Sequence, residues 1–129
     1  MTKRILVIDD ENDIREVVQL SLASLAGWET LTAASGREGL ARAADEQPDA
    51  ILLDVMMPDM DGPTAFRKLQ AEASTRSIPV IFLTAKVQAP DRRRLAELGV
   101  AAVIAKPFDP LRLPEEIASA LGWTCDVAL

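Results

Sequence analysis

Four short runs of apolar residues in this chain each end in side chains that can bind a metal or transfer a chemical group. The runs are residues 5–8, 50–53, 80–83 and 100–105, and the polar residues that follow them are Asp9 with Asp10, then Asp54, Thr84 and Lys106. Uninterrupted apolar runs of this length are typical of strands that are buried on both faces of a parallel sheet. Because reacting groups of open parallel sheets lie at the carboxyl ends of the strands, these side chains are predicted to share one pocket.

Three carboxylates in one pocket repel one another strongly. Two of them about 5 Å apart, at an effective dielectric constant of about 20, repel by roughly 3 kcal/mol, so three pairs approach about 10 kcal/mol. Lys106 alone cannot offset that energy, whereas a hard divalent cation with oxygen ligands can. A site with few carboxylates and open water positions suits Mg²⁺ better than Ca²⁺. Without metal, the pKa of one carboxylate is expected to rise.

A carboxylate beside Mg²⁺, an ammonium group and a hydroxyl group is equipped to attack phosphorus and to carry an acyl phosphate. We predict that Asp54 is the nucleophile and that Asp9 and Asp10 hold the metal. Lys106 and Thr84 would contact the remaining phosphoryl oxygens as charge develops on them.

Helix start and stop signals lie between the apolar runs, with a further strand predicted at residues 29–33. The predicted helix starts are Asp13, the capping box of Ser35 and Glu38, Asp61, Pro90 with Asp91, and Asp109 with Pro110. The predicted ends include Gly27, Pro48, Gly99 and Gly122. The positions expected to face the core are Ile14, Val18, Leu22, Leu25, Leu40, Ala43, Ala44, Phe66, Leu69, Ala73, Leu113, Ile117, Ala120 and Leu121. Strict alternation of this kind predicts an α/β fold with a doubly wound five-stranded parallel sheet. The order 2-1-3-4-5, the flavodoxin-like (βα)5 arrangement, is one of the two common solutions for such a sheet, and we take it as the prediction.

Length and composition limit the classes of protein that fit. The 129 residues suit a single domain, with a core at about residues 3–121 and a C-terminal tail at 122–129. A net charge of −6 argues against direct nucleic-acid binding. The absence of a long apolar stretch argues against a membrane span, and the absence of a cleavable leader pattern favours the cytoplasm. The chain has one cysteine, Cys125, and no histidine, which excludes imidazole catalysis and a phosphohistidine on this chain.

Four motifs, in order, resemble the receiver domains of two-component response regulators, and among these the stand-alone receivers of the chemotaxis-regulator kind. They are the acidic pair within residues 6–11, the segment 53–62 around Asp54, the Leu83-Thr84-Ala85 sequence and the Ala105-Lys106-Pro107-Phe108 sequence. The resemblance covers about residues 3–121. An isolated Asp-Asp pair is more often a helix cap or a solvated loop, but four elements in register favour the functional interpretation.

The resemblance implies a set of roles for the site. Asp54 would accept a phosphoryl group from a sensor histidine kinase or a histidine phosphotransfer protein. Asp10 would bind Mg²⁺ directly, Asp9 would act through water, and the backbone carbonyl of Met56 would be a further ligand. A cis peptide between Lys106 and Pro107 is also implied. Such a protein catalyses its own phosphorylation and dephosphorylation without being a conventional turnover enzyme.

The resemblance also implies how a signal leaves the molecule. The fourth helix, fifth strand and fifth helix would form the surface that contacts a downstream target, and a phosphorylation-dependent homodimer is allowed. The run Arg92-Arg93-Arg94 is interpreted more simply as a solvated helix face than as a nucleic-acid site, yet on this surface it could meet an acidic patch of a partner. Since the chain ends shortly after the fifth helix, we expect a stand-alone receiver without an output domain.

Three positions are predicted to set how this chain transmits its signal and how long it keeps a phosphoryl group. The family usually carries Tyr or Phe three residues before the lysine, and this chain has Val103 there. We therefore predict intact phosphorylation but altered coupling to the distant face. Met56 and Lys86 flank the path of attacking water, and an apolar Met56 predicts slow loss of the phosphoryl group.

Two other functions use some of the same residues. One is a receiver that serves as a constitutive docking platform, against which the complete acidic, threonine and lysine set argues. The other is a phosphatase of the haloacid-dehalogenase kind, which also employs an aspartyl nucleophile, a threonine and a lysine. Those enzymes carry the nucleophile on the first strand with a second aspartate two positions later, whereas Asp54 follows the third apolar run and Met56 occupies that later position.

Overall fold

A single parallel sheet forms the centre of the molecule in the computed structural model, which describes residues 2–85 and 89–123. Its strands are β1 (Arg4–Ile8), β2 (Glu29–Ala33), β3 (Ala50–Asp54), β4 (Val80–Thr84) and β5 (Ala102–Ala105). They lie in the order β2-β1-β3-β4-β5, and every neighbouring pair is parallel. The predicted fold class and strand order are confirmed.

Five helices alternate with these strands along the chain. They are α1 (Asn12–Ala26), α2 (Gly36–Glu46), α3 (Gly62–Ala71), α4 (Ala89–Ala96) and α5 (Leu113–Leu121). No helix within the described ranges is both long and apolar enough to cross a lipid bilayer.

Two apolar cores cover the two faces of the sheet. Leu6 and Ile8 of β1 belong to the core that also contains side chains of α2, α3 and α4. Ile5 and Val7, which alternate with them, belong to the core formed with α1 and α5. Because both faces of β1, β3 and β4 are buried, their sequences contain no polar alternation. This burial is why the polar residues appear only where the strands end.

Two helix starts agree with the predicted caps. The Ser35 hydroxyl accepts a hydrogen bond from Glu38 N at 3.2 Å, at the start of α2. The Asp61 carboxylate accepts one from Thr64 N at 2.8 Å, at the start of α3. Both satisfy an N–H group that has no partner within its helix.

Two other predicted starts are wrong. Asp13 lies in the first turn of α1, and the N-cap position belongs to Glu11, whose side chain makes no capping hydrogen bond. A negative charge in the first turn still suits the helix dipole, which explains the misleading signal. Asp109 caps a separate turn by accepting from Leu111 N at 2.9 Å, so α5 starts only at Leu113.

Smaller differences concern element ends and faces. Helix α4 ends at Ala96, before Gly99, and β5 begins at Ala102 instead of residue 100. Ala44 and Ala73 are exposed, and Ala73 lies beyond the end of α3. The remaining positions predicted to face the core are buried or partly buried.

Trp28 and Trp123 pack together near the amino-terminal ends of the strands, as expected of apolar side chains. Their rings meet edge to face with centroids 5.5 Å apart, and Lys3 Nζ lies 4.5 Å from the centre of the Trp123 ring. Cys125 and Lys86 lie outside the described residues.

Candidate functional site

Three carboxylates meet at the carboxyl end of the sheet. Strands β1 and β3 are neighbours, with Ile8 opposite Leu53, so the residues that end them lie side by side. Asp9, Asp10 and Asp54 each place one carboxylate oxygen within 4.8 Å of the others. Asp9 is 0% exposed and Asp54 is 4% exposed, whereas Asp10 is open to solvent. The predicted convergence of these three residues is confirmed.

Lys106 bridges the two buried carboxylates. Its Nζ lies 2.7 Å from Asp9 Oδ2 and 3.1 Å from Asp54 Oδ1. The backbone N–H of Lys106 donates to Thr84 O at 2.8 Å, which extends the pairing of β5 with β4 beyond the end of β5. The peptide between Lys106 and Pro107 is cis, as expected. Thr84, at the end of β4, is 1% exposed and lies on the same edge of the sheet.

The charges of the site are unbalanced. Burial, and secondly the negative charge of Asp9, raise the pKa of Asp54 to about 6, although Lys106 and the N–H of Met56 act in the opposite direction. Burial alone would lower the pKa of Lys106, but its hydrogen bond to Asp9 and the two carboxylate charges outweigh burial and raise that pKa. One ammonium group is therefore shared between two carboxylates. The predicted upward titration is found at Asp54.

The loop after β3 is held closely against the end of that strand. The Met56 N–H acts on the Asp54 carboxylate and opposes the rise in its pKa, while the Met56 side chain is 63% exposed. Gly62 N donates to Val55 O at 2.8 Å. A Cβ atom on Gly62 would lie 2.8 Å from Asp54 O and 2.9 Å from Val55 Cα, closer than side chains approach backbone atoms. Glycine is required where α3 starts beside the strand.

Asp9 is fixed by the N-cap residue and the first turn of α1. Its Oδ1 atom accepts from Glu11 N at 2.9 Å, and its carbonyl oxygen accepts from Arg15 Nη1 at 2.7 Å. Sequence reasoning missed Arg15. The only available signal was its position one turn into the predicted helix, from which a long side chain can reach back to the preceding loop.

A cleft of about 650 Å³ lies beside the carboxylates, between the loop after β3 and α4. Its lining includes Asp10, Met56, Met57, Pro58, Arg94 and Leu95. The cleft reaches Asp10, the exposed member of the acidic group.

The donor atoms of the site suit a hard divalent cation. All three acidic side chains offer oxygen, the ligand type that Mg²⁺ prefers. Asp9 is buried and paired with Lys106, whereas Asp10 faces solvent, so the two aspartates are available to a cation in different ways. The three carboxylates outnumber the single ammonium group, so a bound cation would be attracted by the excess negative charge.

Comparison with known proteins decides the family of the chain. The family described as the response regulator receiver domain matches residues 5–118. The chain belongs to this family. Receiver domains act in two-component signalling, where they interact with histidine kinases and downstream effectors and generally bind Mg²⁺ at an acidic pocket.

Two curated bacterial proteins are similar to this chain over part of their own length. The phosphate regulon transcriptional regulatory protein PhoB of Pseudomonas aeruginosa is 38% identical over 122 residues, which cover 95% of this chain and 53% of PhoB. The response regulator PleD of Caulobacter vibrioides is 44% identical over 121 residues, 92% of this chain and 26% of PleD. The receiver therefore spans about half the length of the curated relatives that it matches, or less.

Solved structures share the whole architecture. The chemotaxis response regulator CheY4 of Vibrio cholerae superposes with a TM-score of 0.86 at 30% identity, covering 93% of this receiver and 99% of that chain. A CheY-like receiver domain protein from Methanospirillum hungatei gives a TM-score of 0.82 at 30% identity and covers 95% of each chain. Membership of the receiver family, with Asp54 on the third strand, argues against the phosphatase alternative.

Proposed function

We propose that this receiver takes a phosphoryl group onto Asp54 and thereby switches its contacts with other proteins. The donor would be the phosphohistidine of a sensor kinase or of a histidine phosphotransfer protein. The observation that carries the proposal is the arrangement of Lys106 between two buried carboxylates, with Asp10 open to solvent beside them. A purely structural ion pair needs one carboxylate for one ammonium group, whereas this site has three.

Each residue has a role that follows from its surroundings. Asp54 Oδ attacks phosphorus, the bond from phosphorus to the donor breaks, and the donor leaves with the electron pair. Lys106 then follows the negative charge from the carboxylate to the phosphoryl oxygens, because its ammonium group already contacts Asp54. The Thr84 hydroxyl, at the adjacent strand end, would donate to another of these oxygens.

Mg²⁺ would be held by Asp10, Asp54 and the Met56 carbonyl, with Asp9 acting through water, and when bound it would neutralise charge on the transferred group. The three carboxylates fit this assignment because their oxygens lie within 4.8 Å of one another. Asp9 would have a second duty, since its contact with Lys106 at 2.7 Å holds the ammonium group in place.

The output surface would be the face formed by α4, β5 and α5. A second cleft, of about 550 Å³, runs along β5 between these helices, and its lining includes Arg92, Val103, Phe108, Arg112 and Glu116. Both signs of charge and an apolar floor are present, as protein contacts require. A target protein or a second copy of the receiver could occupy this face after phosphorylation.

Phosphorylation with a small donor tests the proposal directly. The protein should gain the mass of one phosphoryl group when incubated with acetyl phosphate and Mg²⁺, and peptide mapping should place that group on Asp54. Asp54→Asn should gain none, and excess EDTA should prevent the reaction. Incorporation at another residue, or none at all, would contradict the proposal, and a lack of incorporation would support the docking-platform alternative.

Size measurement tests the proposed homodimer. Beryllofluoride with Mg²⁺ mimics the phosphoryl group without turnover, so light scattering after size-exclusion chromatography should show a larger species only when both are present. If the protein is a monomer both with and without beryllofluoride and Mg²⁺, the proposed homodimer is wrong and the target must be a different protein.

A further inference from the structure

Asp59 joins the loop after β3 to the start of α2. Its Oδ1 atom accepts a hydrogen bond from Gly36 N at 3.0 Å, and its Oδ2 atom accepts one from Arg37 N at 3.0 Å. Both donors belong to the first turn of α2, where backbone N–H groups have no partner within the helix. These bonds, first that from Arg37 and then that from Gly36, lower the pKa of Asp59. The contact is therefore a charge-assisted pair at a helix N-terminus.

Asp59 adds to the cap of α2 and does not replace it. The Ser35 hydroxyl already accepts the hydrogen bond from Glu38 N. The Asp59 carboxylate accepts from two other N–H groups, those of Gly36 and Arg37. A Cβ atom on Gly36 would lie 3.1 Å from Met60 Cβ, which shows how closely the loop packs on the helix. Two residues after Asp59, Asp61 caps α3. The loop is thus held on α2 by Asp59 and on α3 by Asp61, two residues later.

The same loop carries the peptide groups that meet the phosphorylation site. Met56 lies three residues before Asp59 and two after Asp54, and its N–H lowers the pKa of the Asp54 carboxylate. Its carbonyl oxygen is the proposed backbone ligand for Mg²⁺. A backbone ligand has no rotamer to adjust, so its position depends entirely on how the surrounding loop is held.

We propose that Asp59 is a positioning residue for Mg²⁺ binding and phosphorylation, acting by holding the loop of residues 55–61 against α2 so that the Met56 peptide keeps its place. The inference rests on the proposed function of Asp54. It gives the N-terminus of α2, which contributes none of the proposed metal ligands, a part in the reaction.

Calorimetric titration with Mg²⁺ tests this proposal. Asp59→Ala removes both acceptors, and we expect Mg²⁺ affinity to fall by roughly tenfold, as for other groups that orient a metal ligand. Asp59→Asn keeps one acceptor oxygen and should recover part of the loss. Phosphorylation of Asp59→Ala by acetyl phosphate should be slow at low Mg²⁺ and return towards the unmutated rate at saturating Mg²⁺, a change that a general loss of stability does not produce.

Asp49→Ala is the matched control. Asp49 is also exposed and its Oδ2 accepts from a backbone N–H, that of Arg4 at 2.7 Å, but at the opposite end of the sheet. This variant should keep full Mg²⁺ affinity. Equal affinities for the unmutated protein and Asp59→Ala would overturn the inference, as would an equal loss in Asp49→Ala. Failure of the unmutated protein to bind Mg²⁺ would instead contradict the proposed function.

Discussion

Asp54, the proposed phosphoryl acceptor, is held in the folded receiver as a buried carboxylate at a cost in stability. The carboxylate is 4% exposed and shares Lys106 with Asp9, so it gains only part of an ion pair for its full desolvation. A cation that binds beside Asp54 would reduce this cost. The proposed phosphorylation would also reduce it, because an acyl phosphate no longer carries the carboxylate charge. Burial, and secondly the charge of Asp9, raise the pKa of Asp54 from 3.8 to about 6, so this cost should appear in the pH dependence of stability.

Replacing Asp54 with asparagine should stabilise the metal-free receiver, and increasingly so as pH rises. The folded pKa lies above the unfolded pKa, so the stability associated with protonated Asp54 is complete below about pH 4 and is lost as pH rises through about 6. The shift corresponds to at most about 3 kcal/mol. Urea unfolding from pH 5 to pH 8 should show that Asp54→Asn gains on the unmutated protein across this range.

Mg²⁺ should remove most of that difference. The cation stabilises the folded protein by mass action, and it binds best where Asp54 contributes a charge. At pH 8 with saturating Mg²⁺, the unmutated receiver should gain more free energy of unfolding than Asp54→Asn does. A stability difference between the two proteins that is independent of pH and metal would show that the burial of Asp54 carries no electrostatic cost.

Met56 should control how long the phosphoryl group lasts. Its exposed thioether lines the cleft next to Asp10 and offers little hydrogen bonding to a water that approaches the acyl phosphate. Met56→Asn supplies an amide that can orient such a water, so we expect dephosphorylation to be several-fold faster. Decay of phosphorylated protein after removal of the donor measures this rate. Met56→Leu, which stays apolar, should decay like the unmutated protein, and an unchanged or slower rate in Met56→Asn would contradict the argument.

At the scale of elements, signals that act locally were the ones that sequence reasoning could interpret. The apolar runs located the strands, and their polar ends located Asp9, Asp10, Asp54, Thr84 and Lys106, because strand burial follows from the pattern and parallel strands bring their carboxyl ends to one end of the sheet. Arg15 and Asp59 were missed, since each binds a backbone group whose position only the folded chain defines. The start of α5 was misplaced for a related reason, because an aspartate followed by proline suits a turn as well as a helix.

The junction between β3 and α3 should not tolerate a side chain at Gly62. Gly62→Ala would force a methyl group against Asp54 O and Val55 Cα, and backbone atoms cannot move aside as a flexible side chain does. We expect a loss of roughly 1–3 kcal/mol in the free energy of unfolding. Because the displaced strand end carries Asp54, phosphorylation by acetyl phosphate should also slow.

Gly27→Ala is a suitable control for Gly62→Ala. Gly27 has a φ of +69°, which an alanine adopts only with strain, but a Cβ atom there would meet nothing within 4 Å. This variant should lose about 1 kcal/mol and keep its phosphorylation rate. If the two variants lose activity in parallel with stability, the close contact at Gly62 has no special bearing on the site.

At the scale of the whole molecule, the proposed switch requires an event at Asp54 to reach the proposed output face of α4, β5 and α5. Strands β4 and β5 are paired in register, with Thr84 opposite Ala105 and Phe82 opposite Val103. A movement of Thr84 would therefore act directly on Ala105, the residue opposite it in β5. Val103 is partly buried and packs on the core that contains Phe82 and Leu95 of α4. Its short, branched side chain has only one χ angle and cannot transmit the reorientation of a ring.

The unmutated receiver should therefore couple Asp54 only weakly to the face of α4, β5 and α5, and Val103→Tyr should couple them more strongly. The aromatic residue can move between the cleft along β5 and the interior when the Thr84 hydroxyl turns to the phosphoryl group, whereas valine keeps one place. With beryllofluoride and Mg²⁺, NMR shifts in the unmutated protein should concentrate at the ends of β1, β3 and β4 and be small in α4 and α5. In Val103→Tyr they should extend into both helices. Large shifts across α4 and α5 in the unmutated protein would show that this receiver signals through its backbone and needs no ring at position 103.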